Sequence, residues 1–450
     1  MDYSKNTGIS TLQTIIFTFF IILSLVYFIR KYGLKKDTIL FSLVFFEGLF
    51  GIIHSYDIFP IQYYRLLAFA FGFYMYGKYI FKDLSQSARM VNITFFLFTF
   101  SFVISLIING GVFLNVLSQY LYKFSFLFII YHGLRIRFQY SQQRKRIIKM
   151  IITLLFIQVI LSVVKILVLG LMEGVVGSLS AKGAAVAVVF PIFAMVLYML
   201  VKSGRLTKKE WLFVFSFFLI AFASLKRSPI FIFPVILLFM AVYVNKTIKL
   251  VSAFKFIPLV LFLLYVGIRS NASLNKNREA WGDFDLGYTT SYVLQYNFGV
   301  SSTEEIGESN SNTGRGASLF LVFDSDNLRG FSVLEKYFGM GISKFRDKDE
   351  QIWIQQNLGH IGVVGFALYQ IITLGYVGLI TYLVFIFSIL FTIKYRRLRN
   401  VLIGFILWEI FLYQGFSVTS NAMGLILIAI VFYSNYSKKA IKTKNVKSLI

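Results

Sequence analysis

The sequence predicts an all-α, polytopic integral membrane protein. Of its 450 residues, 57% are hydrophobic and only 14% are charged, whereas soluble domains average about 25% charged residues. Apolar segments of about 17–25 residues recur along nearly the whole chain, and each is long enough to cross ~30 Å of hydrocarbon. The chain contains no cysteine, which excludes a disulfide framework and a thiolate metal site.

The apolar segments predict about thirteen transmembrane helices, within a range of about 12–14. They are residues 11–29, 38–53, 61–77, 90–108, 112–132, 150–170, 184–201, 211–225, 229–245, 256–268, 361–393, 400–416 and 421–436. The first is too long for a signal-peptide core and lacks a small-residue cleavage site, so we interpret it as a span. The eleventh is long for one span, and we expect it to tilt, to project beyond the bilayer or to break near Gly375.

Most of the 45 lysines and arginines follow odd-numbered spans. Such clusters mark cytoplasmic loops, so we interpret the net charge of +25 as a topology signal and not as a nucleic-acid-binding surface. The pattern predicts an external N-terminus and a cytoplasmic C-terminus. Residues 1–268 then hold ten spans, residues 269–350 form one large external loop, and residues 351–450 hold the last three spans and a cytoplasmic tail.

The external loop 269–350 differs in composition from the rest of the chain. It holds more than half of the 20 acidic residues, and its centre is polar and rich in glycine and serine. Structureless loops of this length are uncommon and are usually functional. Two apolar stretches within it, SLFLVF and FSVLEKYF, predict short helices that lie on the membrane surface.

Cations on the external side are candidate ligands for an anion. Lys226 and Arg227 lie between two apolar segments and directly before Ser228-Pro229, a sequence that favours a helix start. A guanidinium and an ammonium at a helix N-terminus suit a lipid-linked phosphate. The alternative is a pair that reaches solvent at the membrane boundary or pairs with a loop acid. Further candidates, for which a solvated loop arginine is the alternative, are Arg315, Arg269 and Arg278.

The segment DKDEQIWIQQNLGHIGVVGF carries the candidate catalytic groups. Asp349 and Glu350 precede an amphipathic stretch, and either carboxylate suits a general base or a group that binds a sugar hydroxyl. The alternative is that they are helix N-terminal charges favoured by the helix dipole. His360 lies at the same boundary, directly before the span. A separate motif, Asp324 to Asp326, fits a short pattern that holds a divalent cation in some glycosyltransferases, but three residues are weakly specific.

Four charged residues fall inside predicted spans, where each is costly unless it is paired or lines a wet cavity. They predict a polar interior but do not identify what that interior binds or transports. These residues are Glu47, Lys123, Lys165 and Glu409.

The order of these motifs resembles that of the Wzy-type O-antigen and capsular repeat-unit polymerases and of the related O-antigen ligases. The resemblance covers roughly residues 210–435. It rests on KRS between two spans, then GRG and GMG in the external loop, then an acidic and apolar stretch that ends in GVVG at the next span. Ligases often carry a histidine–asparagine pair about eleven residues before Gly-x-x-Gly. Here that position is Gln351, a departure that favours a polymerase.

The resemblance implies a membrane glycosyltransferase of the bacterial cytoplasmic membrane. Its substrates are undecaprenyl-diphosphate-linked glycans, one as donor and one as acceptor, and its expected partners are the bilayer, a flippase and a chain-length regulator. Cations at the positions of Arg227 and Arg315 engage the lipid diphosphate in that family. Preplaced cations stabilise the leaving diphosphate, so we expect no metal or other cofactor and an inverting single displacement.

Three other functions compete with this interpretation. A lipid-linked oligosaccharide flippase also needs many spans and internal cations, but it needs no large external loop and commonly shows two similar halves, which this sequence does not show. An O-antigen ligase is an enzyme with a different acceptor. A structural or assembly partner is the third alternative.

Overall fold

The structure, a computed structural model, describes the larger part of the chain. The described residues are 10–82, 84–109, 113–170, 175–179, 186–202, 206–223, 227–244, 257–270, 274–277, 279, 281–291, 331–341, 354, 364–412 and 421–447. Within these ranges the regular structure is entirely helical, without a β-strand. The all-α prediction is confirmed at this level.

Sixteen helices are used below. They are α1 Thr11–Tyr32, α2 Lys36–Phe45, α3 Glu47–Ser55, α4 Ile61–Tyr76, α5 Gln86–Asn109, α6 Phe113–Tyr120, α7 Phe126–Gln139, α8 Ser141–Leu169, α9 Val186–Val201, α10 Lys208–Ala223, α11 Arg227–Phe239, α12 Ile257–Ser270, α13 Val333–Phe338, α14 Phe366–Phe391, α15 Arg396–Leu412 and α16 Asn421–Lys447. Short π-helical turns, Leu121–Ser125 and Met240–Val244, interrupt the fifth and ninth predicted spans.

The described residues do not support thirteen spans, and that count is corrected. Four helices, α1, α5, α8 and α14, are long and apolar enough to cross a membrane, and the bent pair α2–α3 makes a fifth if it is one span. Shorter apolar helices such as α9 have only 16 residues, about 24 Å of helix, against ~30 Å of hydrocarbon. A hydropathy pattern averages over breaks and short helices, so it overcounts complete spans.

Apolar side chains on the outer surface fit a lipid environment. Phe100 on α5 is 65% exposed and Ile107 is 77% exposed, and α1 presents a similar row through Phe19 and Leu23. Soluble proteins rarely expose contiguous apolar faces of this kind. The long apolar helices and these faces together indicate an α-helical membrane protein.

Helices α5 and α14 run antiparallel along a seam of hydroxyl side chains. Thr94 Oγ1 and Ser388 Oγ lie 2.9 Å apart, and Ser101 Oγ lies 3.0 Å from Thr381 Oγ1. Small hydroxyl residues let two helix backbones approach closely and join them by hydrogen bonds where no water competes. The seam fixes where α14 lies against the first half of the chain.

Several of the described segments that follow odd-numbered predicted spans meet at one end of the bundle, which we name the basic end. Arg135 donates to the backbone carbonyls of Tyr79 and Lys82. The backbone N–H of Lys394 donates to Asn435 Oδ1 over 2.8 Å. The cation-rich loops are therefore neighbours in space, as a shared side of the membrane requires.

A buried ion pair ties the start of α2 to the end of α7 at the basic end. Arg137 Nη1 pairs with Asp37 Oδ2, and the side chains are 21% and 9% exposed. Tyr76 Oη of α4 donates to Asp37 Oδ1 over 3.2 Å. One carboxylate thus holds three helices together, and removal of either charge leaves the other buried without its partner.

We expect Asp37→Asn to lower the free energy of unfolding by about 2–3 kcal/mol, because it strands the Arg137 guanidinium. Denaturant unfolding in detergent measures this change. The matched control is Glu210→Gln, which removes the more exposed pair of Glu210 with Lys202 and should cost less than about 1 kcal/mol. Equal losses in the two variants would contradict a structural role for Asp37.

Candidate functional site

Helix α14 is broken at Gly375, one of the three alternatives that its sequence allowed. Gly375 has φ 71° and ψ −177°, a left-handed conformation that glycine adopts without steric cost. The break leaves carbonyl groups of the preceding turn without helical donors. Within a membrane such groups need partners from the protein itself, so the break marks a place where another segment has to bind.

The loop segment 331–341 supplies those partners. The backbone N–H of Met340 donates to the carbonyl of Ile372 over 2.8 Å, and that of Gly341 donates to the carbonyl of Thr373 over 3.2 Å. Ser105 Oγ of α5 also donates to the Thr373 carbonyl, over 3.2 Å. Part of the large loop is therefore fixed to the end of the bundle where α5 ends and α14 begins, which we name the loop end.

The two backbones touch so closely that no side chain fits between them. A Cβ atom on Gly339 would lie 2.3 Å from the backbone carbon of Thr373, and one on Gly375 would lie 2.1 Å from the carbonyl oxygen of Tyr337. Asn109 Nδ2, at the end of α5, donates to the Gly339 carbonyl over 2.9 Å. The GMG motif of residues 339–341 is thus the contact between the loop segment and the helix break.

The predicted helix in FSVLEKYF is confirmed as α13. Ser332 and Glu335 form a capping box, in which the Ser332 N–H donates to Glu335 Oε2 over 2.8 Å and the Glu335 N–H donates to Ser332 Oγ over 3.2 Å. Val333 is 72% exposed, and Leu334 and Tyr337 are also exposed. The helix therefore presents apolar side chains outward, next to its anchor at the break.

A second helix break, between α2 and α3, is filled in the same way. The two helices meet at 52°. The carbonyl of Phe45 accepts from Ser178 Oγ over 2.9 Å and from Gln158 Nε2 over 3.3 Å. The Gly48 N–H donates to the Ser178 carbonyl over 2.7 Å. The short loop 175–179 thus lies inside the bundle and replaces the hydrogen bonds that the bend removes.

Polar side chains continue along the face of α8 that holds this loop. Ser162 Oγ accepts from the Gly177 N–H over 2.8 Å. Lys165, less than one turn further on, is fully buried and lies 5.6 Å from the ring centre of Phe17. Glu409 of α15 is also fully buried, while Tyr122 shares a hydrogen bond with Glu47 at the start of α3. Two of the four charged residues predicted inside spans, Lys165 and Glu409, are therefore buried in the bundle, and Glu47 has a hydrogen-bond partner.

Arg269, a predicted diphosphate ligand, bonds instead to the protein around it. Its Nε donates to the Gly282 carbonyl over 3.0 Å and its Nη2 to the Trp281 carbonyl over 2.6 Å. Its Nη1 donates to Tyr265 Oη over 3.1 Å. These contacts hold residues 281–282 against the end of α12, so they favour a structural role for Arg269.

Arg227 begins α11, and Pro229 is the third residue of that helix. The prediction that Arg227 lies at a helix N-terminus is therefore confirmed for its backbone. The Arg227 side chain lies outside the described part of the structure. So do the remaining candidates, namely Lys226, Arg278, Arg315, Asp349, Glu350 and His360, together with Asp324 and Asp326.

The sequence did not identify the residues that bind the two inserted loops. Gln158 and Ser162 lie about one turn apart on one face of an apolar helix, a pattern that indicates a buried polar contact. Ser105 and Asn109 show the same spacing near the end of α5. These two patterns could have predicted a buried polar contact on α8 and on α5, although they do not identify the loop that each helix binds.

We expect Gly339→Ala and Gly375→Ala each to release the loop segment from α14. Each adds a Cβ atom that clashes with the opposing backbone and forces a non-glycine residue into a positive-φ conformation, which alone costs roughly 1–3 kcal/mol. Hydrogen exchange at the Met340 and Gly341 amides should quicken by at least tenfold. Gly404→Ala is the matched control, because a Cβ there meets nothing within 4 Å. Unchanged exchange in the first two variants would refute the contact.

Comparisons of this chain with protein-family models, with curated proteins and with solved structures found no match.

Proposed function

We propose that the chain is a membrane glycosyltransferase that polymerises undecaprenyl-diphosphate-linked oligosaccharide repeat units on the outer face of the bacterial cytoplasmic membrane. The observation that supports this best is the binding of loop segment 331–341 into the break of α14. Gly341 and Val364 are described residues on either side of 342–363, the stretch that carries the three predicted catalytic residues. A fixed loop at the loop end suits an enzyme that must orient two large lipid-linked substrates.

The proposed reaction is a single displacement at the anomeric carbon of the donor glycan. A hydroxyl oxygen of the acceptor repeat unit forms the new bond to that carbon, while the bond to the diphosphate oxygen breaks and the diphosphate leaves with the electron pair. Asp349, Glu350 or His360 accepts the hydroxyl proton. Arg227 and Lys226 at the N-terminus of α11, with Arg315, stabilise the charge that grows on the leaving group. Attack from the opposite face inverts the anomeric centre.

A lipid-linked oligosaccharide flippase is the second candidate, because broken helices are a common feature of transporters. Transporters commonly bind cargo with the backbone groups that a broken helix frees near the bilayer midplane. In this chain, protein atoms already occupy the freed carbonyls of Phe45, Ile372 and Thr373. Backbone that is already hydrogen-bonded is less available to a cargo, so the breaks support the enzyme more than the transporter.

The proposed orientation predicts that the loop end faces outward. A tag inserted after Asn310 should react with a membrane-impermeant label in intact cells, whereas a tag after Ile450 should react only after permeabilisation, because cation-rich loops stay in the cytoplasm. Labelling of the C-terminal tag in intact cells would overturn this orientation.

The central test uses purified protein and one lipid-linked repeat unit in detergent. We expect a ladder of longer glycans without a nucleotide triphosphate and in the presence of a chelator. Arg227→Ala should slow the ladder by about ten- to hundredfold, the value of a lost charge-assisted contact. Arg227→Lys should restore only part of the rate, because the planar fork is lost. Arg89→Ala, an exposed arginine at the start of α5, is the control and should behave like the unmodified protein.

Three outcomes would change the proposal. Movement of the lipid-linked unit across a vesicle bilayer without a ladder indicates the flippase. A ladder that the chelator abolishes and a divalent ion restores indicates a metal site, with Asp324 and Asp326 as its first candidates. Full activity of Arg227→Ala removes Arg227 from the diphosphate site.

A further inference from the structure

A groove of about 770 Å³ opens on the outer surface between α1, α8, α9 and α10. Most of its lining is apolar, through residues such as Leu23, Phe156 and Ile160. At the basic end the lining becomes polar, through Lys31, Thr153, Lys209, Glu210 and Tyr198. The groove thus has a polar mouth and an apolar floor.

The length of the groove matches one leaflet of a bilayer. On α1 the lining runs from Lys31 back to Phe20, a separation of eleven residue steps that spans about 16 Å at 1.5 Å per residue. Half of a ~30 Å hydrocarbon core is about 15 Å. The polar mouth therefore lies at the level of lipid headgroups when the apolar floor lies at the level of acyl chains.

The mouth carries excess positive charge. Glu210 pairs with Lys202 over 2.7 Å. That hydrogen bond lowers the pKa of Glu210 and raises the pKa of Lys202, so at neutral pH both are charged and cancel each other. Lys31 Nζ lies 3.4 Å from two uncharged hydroxyls, those of Tyr27 and Thr153. Lys31 and Lys209 are exposed, and their positive charges remain available to an anion.

We propose that this groove binds an anionic phospholipid of the leaflet at the basic end. One acyl chain lies along the apolar floor between α1 and α8, and the lipid phosphate lies at the mouth against Lys31 and Lys209, with the Tyr27 hydroxyl as a further donor. The site needs both the acyl chain and the phosphate of such a lipid, because the floor of the groove is apolar and its mouth is positively charged. The inference depends on the chain lying in a membrane and does not depend on its catalysing glycosyl transfer.

Native mass spectrometry of the purified full chain tests the site with two lipids of identical acyl chains, phosphatidylglycerol and phosphatidylcholine. We expect tighter binding of phosphatidylglycerol. Lys31→Gln with Lys209→Gln should weaken it by about fivefold per lysine, the usual value for a basic residue near anionic lipid. The same variant should weaken phosphatidylcholine binding by less, because the choline cation of that lipid already offsets its phosphate charge. Lys35→Gln with Lys145→Gln, two exposed lysines at the basic end away from the groove, is the matched control and should change neither.

A second variant tests the floor of the groove. Leu23 is 47% exposed, so Leu23→Trp fills the groove without disturbing the core and should weaken the binding of both lipids. Displacement of phosphatidylglycerol by millimolar glycerol 3-phosphate would mean that the charge alone binds, and it would overturn the proposal. Equal affinity for the two lipids, or equal effects of the groove and control lysines, would overturn it as well.

Discussion

The structure depends on satisfying backbone hydrogen bonds where an apolar helix is interrupted. In hydrocarbon an unpaired carbonyl or N–H costs several kcal/mol, so an interruption persists only when the protein fills it. Two short loops provide these hydrogen bonds. Residues 175–179 bind at the break between α2 and α3, and residues 331–341 bind at Gly375 of α14. Segment 331–341 brings backbone N–H donors, whereas loop 175–179 brings the Ser178 hydroxyl as donor and the Ser178 carbonyl as acceptor. A side chain on a neighbouring helix, Asn109 or Gln158, holds each loop in place.

This arrangement explains the positions of several otherwise costly residues. Gln158 and Ser178 are fully buried, yet each has hydrogen-bond partners in the other and in Phe45. Glycine is needed at residues 339 and 375 because the two backbones meet without space for a Cβ atom.

Sequence reasoning reached the features that short patterns encode. Membrane character follows from hydropathy. A break near Gly375 was suggested by an overlong apolar run, and α13 was predicted from an apolar stretch in the loop. The start of α11 was predicted from the Ser-Pro that follows Arg227.

The number of spans was wrong because a hydropathy window does not register the bend at Phe46 or the short length of α9. The contacts of Arg269 were missed because two of its three partners are backbone carbonyls, which every residue provides. Ser178 and Gln158 are 20 residues apart in the sequence, and the sequence around either residue does not predict that they form a hydrogen bond.

The α5–α14 seam has a consequence for how the protein is made. Thr94 and Ser388 are 294 residues apart, and Ser101 and Thr381 are 280 apart, so at ≈ 5–20 residues per second α5 waits at least about fifteen seconds in the bilayer before its partner is synthesised. During that interval its hydroxyls are already satisfied within their own helix, since Thr94 donates to the Met90 carbonyl and Ser101 to the Phe98 carbonyl. Each retains lone pairs for the later bond. Helix α5 thus enters lipid with the donors of these hydroxyls already bonded, and its hydrogen bonds to α14 form only after α14 has been synthesised.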